Sequence, residues 1–106
     1  MPVWRIRDRR TFEQLRARGE RHRSGPVTVT TLLDDDGHPP RVAFAITKAV
    51  GNATVRNQVR RRLRSIAAEL ALPSGAYVIS VGPEAAQLPY ARLRDHVVQA
   101  CGTERG

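Results

Sequence analysis

The feature that most constrains the fold is a run of apolar residues at helical spacing in the middle of the chain. Successive members are separated by four, four, three and four positions, the period of one face of an α-helix. The stripe consists of Val55, Val59, Leu63, Ile66 and Leu70. Asn52 stands where an N-cap is expected, and the segment 73–75 (Pro-Ser-Gly) ends the pattern. We therefore predict a helix, starting near residue 53, that buries one face against a core.

The other side of this helix is basic. At ~100° per residue, Arg56, Arg60 and Arg64 form one row, with Asn57 and Arg61 beside it. No Asp or Glu lies between residues 37 and 68, so this stretch offers no acid to pair with the row. Like charges spaced by four residues repel by ~0.2–0.5 kcal/mol per pair, and bound phosphates would offset that cost. A solvated helix face is the alternative. We favour a polyanion-binding surface, which does not yet distinguish RNA from DNA.

The composition fits a small nucleic-acid-binding domain. The 106 residues are enough for one domain and carry 18 Lys+Arg against 10 Asp+Glu, a formal net charge of +8. No apolar run approaches the ~18 residues that cross a membrane, and the first residues lack a secretory signal. The single Cys forms no internal disulfide and, with three scattered His, builds no zinc site. We therefore expect a cytoplasmic protein that does not bind membranes.

Two further helices are predicted. A short helix over residues 9–18 would begin at Asp8 or at the capping-box pattern that starts with Thr11. A last helix would cover residues 88–101, with apolar residues along one face.

β-Branched and alternating segments predict strands at residues 26–33, 41–47 and 76–81. We expect the first two to pair as a hairpin across the turn cluster at residues 34–40. The order is α-β-β-α-β-α, or αβββαβα if one strand is divided, in a single α+β domain over residues 1–106. Such a domain is an α-β sandwich with a small mixed sheet. The ends, residues 1–6 and 102–106, are expected to be flexible.

No group of residues in the sequence is suited to catalysis. A protein nuclease needs a general acid and base, or carboxylates that hold metal ions. The acidic triplet at residues 34–36 is interpreted as a solvated turn rather than a metal site. The three histidines, His22, His38 and His96, share no local constellation, and Cys101 is expected to be buried and unreactive. We therefore expect no catalytic residue and no protein-bound metal.

Residues 47–64 resemble the signature of the bacterial ribonuclease P protein subunit. That signature has a Ser/Thr-Lys-Lys, a Gly-Asn-Ala and an Arg-Asn-Arg followed by a basic pair. In this chain it stands as Thr47-Lys48-Ala49, Gly51-Asn52-Ala53, Arg56-Asn57-Gln58 and Arg60-Arg61. The rest of residues 5–101 agrees more loosely. The resemblance implies a sandwich with a central cleft and a left-handed β-α-β crossover.

The resemblance also implies a function. The protein would be the RNA-binding subunit of ribonuclease P, an endoribonuclease that removes the 5′ leader of precursor tRNA. The RNA subunit would be the catalyst and would hold the Mg²⁺ ions, and the protein would bind no cofactor of its own. The protein would bind ribonuclease P RNA and precursor tRNA but not DNA. Alone it would be inactive and monomeric.

Carried over by position, the resemblance assigns two sets of residues. The RNA-subunit contacts would be Lys48, Asn52, Arg56, Asn57, Arg60, Arg61 and Arg64. The leader contacts in the cleft would be Phe12, Arg16, Thr30, Phe44 and Ile46, with Val29 or Thr31 as alternatives to Thr30. The chain departs from the family where Ala49 and Gln58 replace basic residues and where Arg16 and Thr30 replace aromatic ones. With fewer rings for stacking, leader contact should depend more on arginine and phosphate.

Two other functions fit a basic helix of this kind. One is a ribosomal-type RNA-binding protein that takes no part in cleavage. The other is a DNA-binding regulator that uses residues 53–71 as a recognition helix. The regulator needs a support helix three or four residues earlier, where this sequence predicts a strand.

Overall fold

A five-stranded sheet forms the centre of the protein, with helices on both of its faces. The computed structural model describes residues 3–102. Its helices are α1 (Arg9–Arg18), α2 (Ala53–Glu69) and α3 (Tyr90–Cys101), and its strands are β1 (Trp4–Arg5), β2 (Glu20–Ser24), β3 (Val27–Leu33), β4 (Arg41–Ile46) and β5 (Gly75–Val81). Short 3-10 turns, Lys48–Val50 and Pro83–Gln87, precede α2 and α3. The α+β class and the order αβββαβα are confirmed, with β1 added in front, but the additional strand is β2 rather than a predicted strand divided in two.

The strand order is β1-β4-β5-β3-β2. Strand β3 pairs antiparallel with β2 and β5, whereas β4 pairs parallel with β5 and β1, so the sheet is mixed. The predicted hairpin between residues 26–33 and 41–47 is wrong, because β5 lies between these two strands. Strand β3 instead forms its hairpin with β2 across Gly25 and Pro26. Gly25 has φ +56, which suits the first position of a two-residue turn.

Helices α1 and α2 begin at side-chain caps. The Thr11 N–H donates to Asp8 Oδ2 at 2.9 Å, which settles the first helix start in favour of Asp8. The Val55 N–H donates to Asn52 Oδ1 at 3.0 Å, as predicted. Gly51, just before this cap, has φ +152, and a Cβ there would lie 2.9 Å from the Val55 side chain. The glycine of the Gly-Asn-Ala motif thus allows the backbone before α2 to pack directly against the Val55 side chain.

The main core lies on the sheet face that α2 and α3 cover. The predicted stripe of α2 is buried there, with Val59, Leu63 and Ile66 at most 1% exposed and Val55 and Leu70 partly buried at its ends. It packs with alternate residues of β3, β4 and β5 and with one face of α3. The buried members from the strands and α3 are Val27, Val29, Val42, Ile46, Tyr77, Ile79, Val81, Leu93, Val97 and Ala100.

The opposite face carries a smaller cluster under α1, formed by Ile6, Leu15 and Ala76. The burial of Ile6 does not agree with the prediction that residues 1–6 are flexible. The structure instead pairs β1 with β4 and leaves Ile6 only 6% exposed, so backbone pairing and an apolar contact hold this segment. At the other end, Gly102 caps α3 at φ +71. The remaining parts of the predicted flexible ends, residues 1–2 and 103–106, lie outside the described residues.

Candidate nucleic-acid interface

Helix α2 turns the predicted arginine row away from the core. Arg56 and Arg60 are half-buried and Arg64 is exposed, as are Asn57 and Arg61 beside them. One side of the helix is therefore apolar and packed, and the other presents guanidinium groups. The sequence-based prediction for this segment is confirmed in its geometry.

The row carries charge that the protein leaves unpaired. Among residues 3–102, no carboxylate lies within 4.0 Å of any arginine on α2. Arg60 Nη1 donates only to the neutral amide oxygen of Asn57, at 3.0 Å. On α3, by contrast, Arg94 Nε donates to Glu69 Oε2 at 2.8 Å. The α2 guanidinium groups therefore remain available for phosphates, and each phosphate neutralised releases counterions.

The start of α2 extends this basic surface. Lys48 is exposed on the 3-10 turn, and Asn52 is exposed at the cap. The cap uses Asn52 Oδ1, which leaves the amide NH₂ to donate outward. The helix N-terminus adds a positive dipole end that favours anions. All seven residues predicted to bind an RNA subunit therefore lie on α2 or just before it.

A second exposed surface lies on the α1 side of the sheet. Because side chains alternate along a strand, Thr30, Val78 and Ala43 form one row across three strands, and Thr28, Ser80 and Ala45 form the next. Helix α1 packs near the first row and leaves the second without a helix over it among the described residues. Short side chains on neighbouring strands leave this strip of the sheet open beside α1, and we call the strip the trough.

Phe12 and Arg16 belong to α1, the helix on this side of the sheet, and both are exposed, Phe12 to 36%. Helix α1 ends directly over β3, because Gly19 lies so close to Thr30 that a Cβ would meet its methyl group at 2.9 Å. Three predicted leader-binding residues, Phe12, Arg16 and Thr30, are thus on the same side of the sheet. Val29 and Thr31, the alternatives to Thr30, point to the other face.

Two arginines of this surface were missed by the sequence reasoning. Arg21 and Arg23 on β2 are paired in register with Thr30 and Thr28, so their side chains lie on the trough side. Both are exposed. Residues 20–24 are all polar, so they show no alternation of apolar and polar residues that would predict a strand. The only sequence signal for β2 is the Gly25-Pro26 turn that follows it.

The structure does not bring Phe44 and Ile46 to this trough. Both side chains lie on the α2 face of β4, alternate with Ala43, and pack against the main core. Ile46 is 9% exposed, which leaves little surface for a ligand. The five residues predicted for the leader therefore occupy opposite faces of the sheet.

Phe44 instead lines a cleft at the sheet edge, between β1 and α2. The cleft has a volume of about 530 Å³. Val3 and Phe44 form its apolar wall, and the lining also includes Arg5, Arg60 and Arg64. The register of β1 turns the Trp4 side chain to the other face of the sheet, with Arg41. Trp4 is 50% exposed, and its ring stacks on His38 at a centroid distance of 5.7 Å. We call this feature the edge cleft.

His38 belongs to a hydrogen-bonded turn that the sequence did not predict. Its Nε2 lies 3.1 Å from Asp34 Oδ2, and its Nδ1 lies 2.6 Å from the carbonyl oxygen of Pro39. Both partners are acceptors, so both ring nitrogens donate, and these contacts, the Pro39 carbonyl first, raise the pKa of His38. Asp36 adds a third ligand-type atom within 4.8 Å. These contacts tie the two ends of the turn together.

His96 also has partners that the sequence did not reveal. Ser24 Oγ lies 2.9 Å from His96 Nδ1 and donates to Gln99 Oε1 at 2.6 Å. The hydroxyl proton is directed at Gln99, so Ser24 accepts from the histidine and is not activated by it. The contact ties β2 to α3. Burial raises the pKa of the Cys101 thiol to about 11, which agrees with an unreactive residue.

The sequence and the fold of this chain are similar to those of known proteins. The Ribonuclease P family model matches residues 2–104. A ribonuclease P protein component from Nocardioides sp. is 40% identical over 94 residues, covering 84% of this chain and 80% of that protein. One from Thermobifida fusca is 35% identical over 118 residues, covering 99% and 80%. Among solved structures, the ribonuclease P protein of Staphylococcus aureus has a TM-score of 0.81 at 15% identity, with 98% and 97% coverage. That of Thermotoga maritima has a TM-score of 0.76 at 19% identity, with 90% and 92% coverage.

Proposed function

The chain belongs to the ribonuclease P protein family, and from that premise we propose that it is the RNA-binding protein subunit of a bacterial ribonuclease P. It binds the RNA subunit and the precursor tRNA and assists removal of the 5′ leader. The observation that carries this proposal is the unpaired arginine row of α2 within the family signature. We further propose that the protein acts in the cytoplasm and is monomeric on its own.

The RNA-subunit contact is assigned to α2 and the turn before it. Arginine presents a planar fork that matches phosphate oxygens, and Arg56, Arg60 and Arg64 lie along one line. Arg61 and Asn57 broaden this line, and Lys48 continues it past the helix N-terminus. A line of guanidinium groups suits recognition of a folded RNA through its phosphate backbone.

The leader contact is assigned to the trough on the α1 side of the sheet. A single strand is thin enough to lie on a shallow sheet surface, where bases stack on rings and phosphates meet arginines. Here the ring is Phe12, and the arginines are Arg16, Arg21 and Arg23. Small residues such as Thr30 leave space for the strand but offer it no stacking surface.

The bond-breaking step is assigned to the RNA subunit and its Mg²⁺ ions. A general acid needs a carboxyl whose pKa is raised towards neutrality. The carboxyls with clear shifts go the other way: hydrogen bonds from Thr11, Ser74 and Arg94 lower the pKa of Asp8, Asp34 and Glu69, respectively. These three stay ionised and serve as a helix cap, a turn anchor and an ion-pair partner. None of these three therefore serves as a general acid, and the proposal gives the protein the role of binding the two RNAs.

A reconstitution assay tests the proposal. The protein is mixed with a bacterial ribonuclease P RNA and precursor tRNA at low Mg²⁺, where RNA–RNA repulsion limits cleavage by the RNA alone. We expect the protein to increase the rate of leader removal and to cleave nothing without the RNA. Arg60→Ala/Arg64→Ala should lose most of the increase. Arg92→Ala, an exposed arginine on α3, controls for loss of charge as such. An unchanged cleavage rate, or cleavage by the protein alone, would contradict the proposal.

A further inference from the structure

The edge cleft combines features that no part of the proposed function uses. It is concave, it is partly apolar, and it opens beside two members of the arginine row, Arg60 and Arg64. Its volume of about 530 Å³ lies in the ~300–1,000 Å³ range of ligand sites. A double helix cannot enter a cavity of this size, whereas a single nucleotide can.

The lining is complementary to the two parts of a nucleotide, the base and the phosphate. Phe44 and Val3 form an apolar wall on the α2 side of the sheet edge, where a base can be buried. Arg5, on the exposed strand β1, faces the same side because it is paired in register with Val42. Together with Arg60 and Arg64 it places three positive charges around the opening. Among residues 3–102, none of these three is paired with a carboxylate.

Resting on the proposed function, we propose that the edge cleft receives one unpaired nucleotide of the RNA subunit. Its base packs against Phe44 inside the cleft, and its phosphate is bound by Arg5, Arg60 and Arg64 at the opening. RNA is read most specifically through bases that leave the helix and stack on aromatic side chains. The RNA subunit is the source because the cleft adjoins the arginine row and lies on the opposite side of the sheet edge from the trough.

This assignment changes the role of Phe44. The resemblance placed Phe44 with the leader contacts, but the structure places its ring on the α2 face with the arginine row. Phe44 then anchors the RNA subunit at a fixed nucleotide, while the row supplies affinity that does not depend on sequence. The cleft would set the register of the protein on the RNA.

The intrinsic fluorescence of Trp4 gives a direct test on the free protein. Trp4 is the single tryptophan of the chain and is adjacent on β1 to Arg5, which lines the cleft, so its emission reports on a ligand bound at this strand although its own ring lies on the α1 side. We expect adenosine 5′-monophosphate to quench its emission saturably and ribose 5-phosphate to leave it unchanged at equal concentration. Arg5→Ala should weaken the nucleotide effect at least threefold. Arg7→Ala, an exposed arginine two residues away that does not line the cleft, is the matched control and should keep it. Equal quenching by the two phosphates would overturn the base contact.

Binding to the intact ribonuclease P RNA tests the site in its proposed setting. Phe44→Leu keeps the apolar wall but removes the ring and should weaken binding about fivefold. Arg5→Ala should make the slope of log Kd against log salt shallower by about 1. Thermal unfolding of Phe44→Leu checks its fold, and Arg5→Ala, at an exposed edge, tests the cleft without touching the core. If Arg60→Ala/Arg64→Ala weakens binding but Phe44→Leu and Arg5→Ala do not, the cleft assignment fails and the proposed function stands. If none weakens it, both fail.

Discussion

The two faces of the sheet are built for different purposes. On one face, α2 and α3 bury a continuous apolar core that includes fully enclosed residues such as Leu63 and Ile79. On the other face, α1 covers only a small cluster around Leu15 and leaves a row of short side chains open. The difference shows how so small a domain combines stability with binding. One face supplies most of the burial, so the other can remain a surface.

The largest expected effect is on stability, and it compares a substitution in the main core with one in the small cluster under α1. Leu63→Ala should lower the free energy of unfolding by about 4 kcal/mol, because a rigid, fully enclosed site collapses poorly around a cavity. Leu15→Ala should cost about 2 kcal/mol, since the thin layer under α1 can relax towards solvent. Urea unfolding followed by circular dichroism measures both values. Equal losses would show that the two faces contribute alike and would break the comparison.

A second prediction concerns α2, which covers one face of the sheet and is proposed to bind RNA through its solvent-exposed side. Arg60→Ala/Arg64→Ala removes two phosphate contacts and should weaken binding to ribonuclease P RNA roughly 10- to 100-fold at 0.1 M salt. The slope of log Kd against log salt should become shallower by about 2. A salt titration by filter binding measures both. Arg92→Ala serves as the control, and an unaltered slope in the double variant would mean that the row does not contact phosphate.

Helix α2 was predictable because its information is local. The spacing of Val55, Val59 and Leu63, the Asn52 cap and the absence of acids each depend on neighbours in the sequence. The same holds for α1, whose extent of residues 9–18 the sequence predicted. Helical periodicity alone therefore places the arginine row on the solvent side of α2.

Strand neighbours were less predictable because pairing is long-range. Alternation marks β3 and β4 as strands, but nothing within them says that β5, which follows only after α2, separates them. The missed strand β2 is polar throughout and pairs along its whole length, Glu20–Ser24, with β3. Phe44 shows a related limit. Alternation puts it on the face of Val42 and Ile46, but which helix covers that face is decided by the fold.

A third prediction sharpens the comparison by adding an aromatic ring to the open face. Thr30→Tyr restores an aromatic residue at a position where the family resemblance expects one. It should tighten binding of precursor tRNA relative to mature tRNA about fivefold, the lower end of one base-stacking contact. Thr31→Tyr, one residue along on the opposite face, is the matched control and should change this ratio little. The ratio is measured with the reconstituted complex. Equal gains from both variants would show that the trough is not the leader surface.

The smallest expected effect lies at the turn that meets the edge of the sheet, where His38 contacts Asp34 and Trp4. The folded protein raises the pKa of His38 above its ordinary 6.5, through the Pro39 carbonyl and then the Asp34 carboxylate, while desolvation and, to a smaller extent, the charge of Arg41 oppose the shift. This contribution to stability is present below pH 6.5 and is lost as pH rises through the folded pKa. Asp34 has the opposite sign: Ser74 lowers its pKa, so its contribution is lost only in acid.

Wild-type stability should therefore fall between pH 6 and pH 8.5, and His38→Gln should reduce that fall. The urea midpoint at the two pH values measures it. His22→Gln removes the same ring from the exposed strand β2, with 59% of the side chain exposed, and should keep the wild-type dependence. Because His38 also stacks on Trp4, its variant should loosen β1 and with it the edge cleft. A pH dependence identical in wild type and His38→Gln would mean that the turn does not hold a charged imidazole.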